Sequence, residues 1–175
     1  TPTPALPMSC NDGAAAIAQG AVDMFCGWGG SLRRAKEHGN ILLTGAEKTE
    51  LGILVFDVTS GPAGWVAENS DLVAKFLKVT ADSNAMWADE ANHAMMLPAI
   101  AKDAGMDEAA TADTMATFVF PTVESQLSAT WLGGGAQEFM KGVADVFVNA
   151  NSIDSALDSY VGNVNTGPLE AANGM

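Results

Sequence analysis

Asp57 lies within an apolar run, "ELGILVFDV" at residues 50–58, where a charged side chain needs an explanation. An ionised carboxylate left unpaired in a low-dielectric environment costs several kcal/mol, so we expect Asp57 to have a partner or to face solvent. Trp28 follows a second apolar stretch, "VDMFC". A tryptophan face together with a carboxylate would bind an alkylammonium group through cation–π contact and ion pairing. A tryptophan packed on a helix and an aspartate capping a turn would account for the same residues.

The remaining polar motifs do not point to catalysis or metal binding. Glu90 and His93 share one helical face in "DEANHAMM", but carboxylate-bridged metal bundles need such a pair twice, so we expect a surface ion pair. The sequence has no G-x-S-x-G, P-loop or G-x-G-x-x-G motif, and "GWGG" and "LGGGAQ" lack the lysine or the spacing that binds phosphate. We therefore predict no catalytic residue, no metal and no cofactor. An enzyme that uses Asp57 as a general base is the alternative.

Composition restricts the possible partners. The chain of 175 residues is 48 % hydrophobic and carries 8 basic against 21 acidic residues, for a formal charge of −13. Such a surface repels phosphate backbones, so we expect no nucleic-acid partner and no anionic membrane surface. Cys10 and Cys26 are too few for a disulfide scaffold, and Cys26 is predicted to be a small buried thiol.

The order of predicted elements indicates an α/β protein with a helix-rich C-terminal half. The opening "TPTPALP" is typical of an extended linker, a mature start or the edge of a fragment. Three apolar runs ("AVDMFC", "NILLTG" and "GILVFDVT") predict strands, and the helices "NDGAAAIAQG" and "SLRRAKEHG" alternate with them, which favours a parallel sheet. After residue 60 helices dominate, and one of them presents a predicted core face formed by Leu72, Val73, Phe76, Leu77, Thr80 and Trp87. Three strands are few beside so much helix, so we expect the remaining strands upstream of Thr1.

Several of these segments, taken in order, resemble the taurine-type solute-binding proteins of ABC importers. The resemblance lies in "DGAAAIAQGAVDMFCGWGGSLRRAKEHGNILLTGAE" and "ILVFDVTS", and continues in "ENSDLVAKFLKVTADSNAMW", "FPTVESQLSATWLGGG" and "KGVADVFV". It implies part of a two-lobe, type II periplasmic-binding-protein fold. By the resemblance, residues 1–46 end one α/β lobe, residues 47–60 are a crossover strand, and residues 61–175 form the helix-rich remainder of the other lobe.

The resemblance also implies a function and a site. In that family the "F-D-V" aspartate binds the amino group of taurine, and the tryptophan lines the same cleft. Carried over, Asp57 is the ammonium ligand, Trp28 is a wall of the site, and Gly29 shapes that wall where many relatives have proline or an acid.

The expected protein is a periplasmic receptor that captures taurine or a similar small amino-sulfonate between two lobes and presents it to a permease in the inner membrane. A chain of this class is expected to be monomeric at full length and to carry out no reaction. A helical interaction module without a working cleft is a third hypothesis.

Overall fold

The computed structural model describes residues 8–175, and the predicted linker "TPTPALP" lies outside them. Every regular element within residues 8–175 is a helix. The α-helices are α1 (Cys10–Ala18), α2 (Gly29–Lys36), α3 (Gly45–Glu50), α4 (Ala63–Glu68), α5 (Ser70–Ala88), α6 (His93–Ala104), α7 (Glu108–Met115), α8 (Val123–Leu127), α9 (Gly135–Asn149) and α10 (Gly167–Asn173). Short 3₁₀ helices span Glu90–Asn92 and Val161–Asn163.

The predicted α/β class, and with it the type II periplasmic-binding fold, is wrong because the described chain contains no strand. The three runs predicted as strands are mostly irregular backbone, and the second of them runs into the start of α3. Many of their apolar side chains are also exposed, with Leu42 at 71 % and Val55 at 67 %, whereas strands of a covered parallel sheet would be buried. Strand propensity becomes a strand only when a neighbouring strand pairs with its backbone, and no described segment does so.

The chain divides into two compact units, and the first combines the chain up to Thr44 with Ala91–Val119. In this unit α2 packs against α1 and α7, and α6 packs against α7. Between α1 and α2 the buried Ser31 hydroxyl donates a hydrogen bond to Asn11 Oδ1, at 3.1 Å. A buried hydroxyl needs such a partner, so this bond fixes the register of the two helices.

The second unit combines Gly45–Glu90 with Phe120–Met175. Here α10 packs against α5 and α8, and α4 packs against α5. The buried apolar residues on α5 and α10 are small or medium in size: Ala74, Leu169 and Ala172. The predicted lobe boundaries at residues 46 and 60 stay a prediction.

The core face predicted for α5 is wrong in part. Leu72 and Phe76 are both 56 % exposed, whereas Val73 and Leu77 are half-buried beside the fully buried Ala74. The buried face of α5 is therefore rotated away from the one predicted, and a row of large apolar side chains faces solvent.

Most of the predicted helices are confirmed, although their caps differ. The sequence predicts Asn11 or Asp12 as the cap of α1, but the cap is Ser9, whose Oγ accepts the N–H of Asp12 at 3.1 Å. Gly20 follows α1 with a φ of +67°, as expected of a terminating glycine. The segment "SIDSALDSYVGNV" at residues 152–164 begins with a capping serine and predicts a helix, but this prediction is wrong, since the segment contains turns and one 3₁₀ helix.

The final helix, α10, was not predicted from the sequence. Its signal is Pro168 in the first turn and Gly174 just after the last residue, the usual asymmetry of helix ends.

Candidate functional site

Asp57 lies in the irregular segment between α3 and α4 of the second unit, and its side chain is exposed. No hydrogen bond or ion pair joins it to another residue between 8 and 175. The Asp57 carboxylate is therefore hydrated, so its position in an apolar run of the sequence does not carry a desolvation cost. The carboxylate is available to a cation from outside the chain.

Phe56, the residue before Asp57, anchors this segment to the rest of the second unit. Its ring makes edge-to-face contacts with Trp131, at a centroid distance of 5.8 Å and an interplanar angle of 81°, and with Phe139, at 6.1 Å and 62°. Such geometry is the favoured one for aromatic pairs. The backbone next to Asp57 is therefore held in place although it has no regular secondary structure.

An apolar groove of about 470 Å³ runs along the same segment. Leu54, Val55 and Phe56 form one side of it, and α9 forms the other. The remaining lining residues are Phe139, Met140, Val143, Ala144, Phe147, Ile153 and Tyr160. Phe147 is 49 % exposed, so the groove is open to solvent.

A glycine turn before α9 positions Trp131 and Phe139. The N–H groups of Gly133 and Gly135 donate to the carbonyls of Ser128 and Ala129, each at 2.9 Å. A Cβ on Gly135 would collide with the carbonyl oxygen of Thr130, so this close approach requires glycine. These N–H groups are occupied by backbone carbonyls, so the "LGGGAQ" turn is structural and has no free donors for phosphate.

Trp28 and Gly29 lie in the first unit, at the start of α2. Trp28 is the N-cap residue, with extended backbone (φ −144°, ψ 171°), and its side chain is 67 % exposed. Gly29 has a φ of +57°, and a Cβ there would lie 3.9 Å from Thr114 Cγ2, so conformation rather than space favours glycine. No side chain caps the first N–H groups of α2. An exposed indole and uncapped N–H donors are thus adjacent on this unit.

Asp57 belongs to the other unit, so Asp57 and the pair Trp28 and Gly29 are each described within their own unit. Their assignment as ligand contacts stays a prediction.

The charged side chains of the described residues form mainly local pairs. Lys78 binds Asp82 at 2.6 Å, Lys141 binds Asp145, and Arg33 lies 3.9 Å from Glu37, each pair one turn apart on its own helix. Pairs of this type contribute little to stability.

The other reactive residues form no recognisable centre. Cys10 is half-buried and Cys26 is exposed, both as free thiols, so the prediction of a buried Cys26 is wrong. Glu90 begins a 3₁₀ helix and His93 begins α6. Residues 8–175 contain no group of three or more His, Cys, Asp or Glu side chains arranged to hold a metal ion.

Two further findings bear on the class of protein. None of the helices within residues 8–175 combines the length and the hydropathy needed to cross a bilayer. No protein-family model, no curated protein and no solved structure matches this chain.

Proposed function

We propose that this chain is the solute-binding component of an ABC importer, which captures taurine or a similar small amino-sulfonate in the periplasm and delivers it to an inner-membrane permease. The observation that carries the proposal is Asp57, an exposed carboxylate with no partner among residues 8–175. The sequence resemblance around "ILVFDVTS" supports the same role for this residue. This role rests on the binding of the ligand's ammonium group by Asp57, and it does not need the α/β architecture that the helical structure excludes.

The surroundings of Asp57 suit an ammonium ligand. A carboxylate already paired within its own chain would have to give up that partner on binding, and Asp57 has no such partner among the described residues. The contacts of Phe56 with Trp131 and Phe139 hold the adjacent backbone in one place, which lowers the entropic cost of ordering the site.

The charge of the whole chain favours a zwitterion over an anionic sulfonate. A chain of formal charge −13 attracts cations and repels free anions, whereas taurine is neutral overall and presents its ammonium group to Asp57. A lone surface ion pair contributes only about 0–1 kcal/mol, so affinity in the micromolar range needs additional contacts. By the sequence resemblance Trp28 supplies such a contact, and Trp28→Ala tests it separately.

Calorimetric titration with taurine tests the role of Asp57. Asp57→Asn keeps the size of the side chain and removes its charge, so we expect taurine to bind about two- to fivefold more weakly, the loss of an exposed ion pair. Ethanesulfonate lacks the ammonium group, and its affinity should not change in this variant.

The matched control is Asp158→Asn, another exposed aspartate of the second unit in irregular backbone, which should leave taurine binding unchanged. Trp28→Ala should weaken taurine and ethanesulfonate to similar extents, because the indole supplies a surface and not a counter-charge. Absence of taurine binding, or equal affinity in the wild type and Asp57→Asn, would overturn the assignment. A reaction product detected by mass spectrometry after incubation with taurine would replace the receptor with the enzyme hypothesis.

A further inference from the structure

The exposed face of α5 has the residue spacing of a coiled-coil seam. Leu72, Phe76, Val79 and Ser83 lie at alternating intervals of four and three residues, the interval of a and d positions in a heptad. Leu72 and Phe76 are 56 % exposed and Val79 is 65 % exposed. With 3.6 residues per turn, these four positions lie on the side of α5 opposite the buried Ala74.

Ser83 can enter an apolar interface without loss of a hydrogen bond. Its hydroxyl donates to the carbonyl oxygen of Val79 in the same helix, at 2.8 Å. A polar group that is already satisfied does not add the penalty of an unpaired buried donor. The α5 seam, defined as residues 72, 76, 79 and 83, is therefore suitable for burial along its whole length.

We infer that the α5 seam binds the same seam of a second copy of this chain, with the two helices antiparallel about a two-fold axis. In the antiparallel register Leu72 lies opposite Ser83 of the second copy, and Phe76 lies opposite Val79. Each layer then pairs a larger side chain with a smaller one, and the two-fold axis generates the same layers again.

The charges beside the seam support the antiparallel register. Lys75 and Asp82 occupy g positions, which face one another across an antiparallel pair. Asp82 is already bound by Lys78 of its own helix, so Lys75 of the second copy joins that ion pair, and the two-fold axis generates this contact twice. Lys75 is exposed and forms no ion pair within residues 8–175. In a parallel pair Lys75 would face Thr80 instead, and no opposite charges would meet. The self-complementary layers and charges favour a second copy over an unrelated partner. The inferred dimer differs from the monomer that the resemblance implies.

Sedimentation equilibrium of the full chain at physiological salt measures the association. We expect a reversible dimer of the wild type, and Val79→Asp should raise its dissociation constant at least about 100-fold by placing carboxylates inside the seam. Val146→Asp is the matched control, because Val146 on α9 is also 65 % exposed but lies outside the seam. It should leave the dissociation constant unchanged, and circular dichroism should show equal helix content in both variants.

A charge exchange tests the register. Lys75→Asp should weaken the dimer by placing like charges opposite one another, and the double variant Lys75→Asp with Asp82→Lys should restore it. Asp82→Lys also removes the ion pair with Lys78, so circular dichroism of both variants checks that the helix content is unchanged. A wild type that stays monomeric up to several hundred micromolar overturns the inference, as does a dimer that Val79→Asp leaves intact. Failure of the double variant to restore association overturns the antiparallel register.

Discussion

The contacts of Phe56 give a prediction whose magnitude follows from geometry. An edge-to-face aromatic pair contributes about 0.5–1.5 kcal/mol beyond the area that it buries, and Phe56 makes two of them, with Trp131 and Phe139. Phe56→Leu keeps most of the apolar volume and removes both ring contacts. Because Phe56 is half-buried, we take the lower part of the summed range and expect a loss of about 1–2 kcal/mol in the free energy of unfolding.

Urea denaturation followed by circular dichroism measures this loss, and the m-value should stay constant. Phe147→Leu is the control, because Phe147 lines the same groove but is 49 % exposed and stacks on no other aromatic ring within residues 8–175. It should cost less than about 0.5 kcal/mol. A double-mutant cycle with Phe139→Leu should give a coupling of about 0.5–1.5 kcal/mol. Equal losses for the Phe56 and Phe147 variants, or no coupling in the cycle, would refute the role given to the ring contacts.

Two further predictions concern packing. Gly135→Ala should destabilise the protein by about 1–3 kcal/mol, because the new Cβ collides with the Thr130 carbonyl. Gly142 lies in the middle of α9 with open space around it, so Gly142→Ala should stabilise the protein by up to about 1 kcal/mol. Urea denaturation of both variants checks that the two changes in the free energy of unfolding have opposite signs. Asn11→Ala should cost about 1–3 kcal/mol because it leaves the buried Ser31 hydroxyl unpaired, and Asn11→Ala combined with Ser31→Ala should recover part of that loss in thermal unfolding.

The helices were the predictable part of this fold. The segment at residues 70–88 repeats apolar residues at helical spacing and carries no internal proline or glycine, so local properties are enough to identify α5. Which side of α5 is buried depends on α10, a distant segment in sequence, and the predicted core face was accordingly wrong.

The strand predictions failed for a related reason. Residues 53–58 are rich in β-branched and aromatic side chains, but a strand also needs a partner for its backbone, and composition does not reveal whether one exists. The exposure of Asp57 was one of the two outcomes expected from the cost of burying its charge. The contact of Phe56 with Trp131 and Phe139 could not be foreseen, because it joins segments far apart along the chain.

The division of the first unit between two distant segments has a consequence for synthesis. Helices α1 and α2 leave the ribosome long before α7, against which α2 packs. At a translation rate of about 5–20 residues per second, α2 waits for α7 for about 4–14 s. During that interval the apolar residues 51–58 have also emerged, so the nascent chain presents a binding segment for chaperones before its first unit is complete.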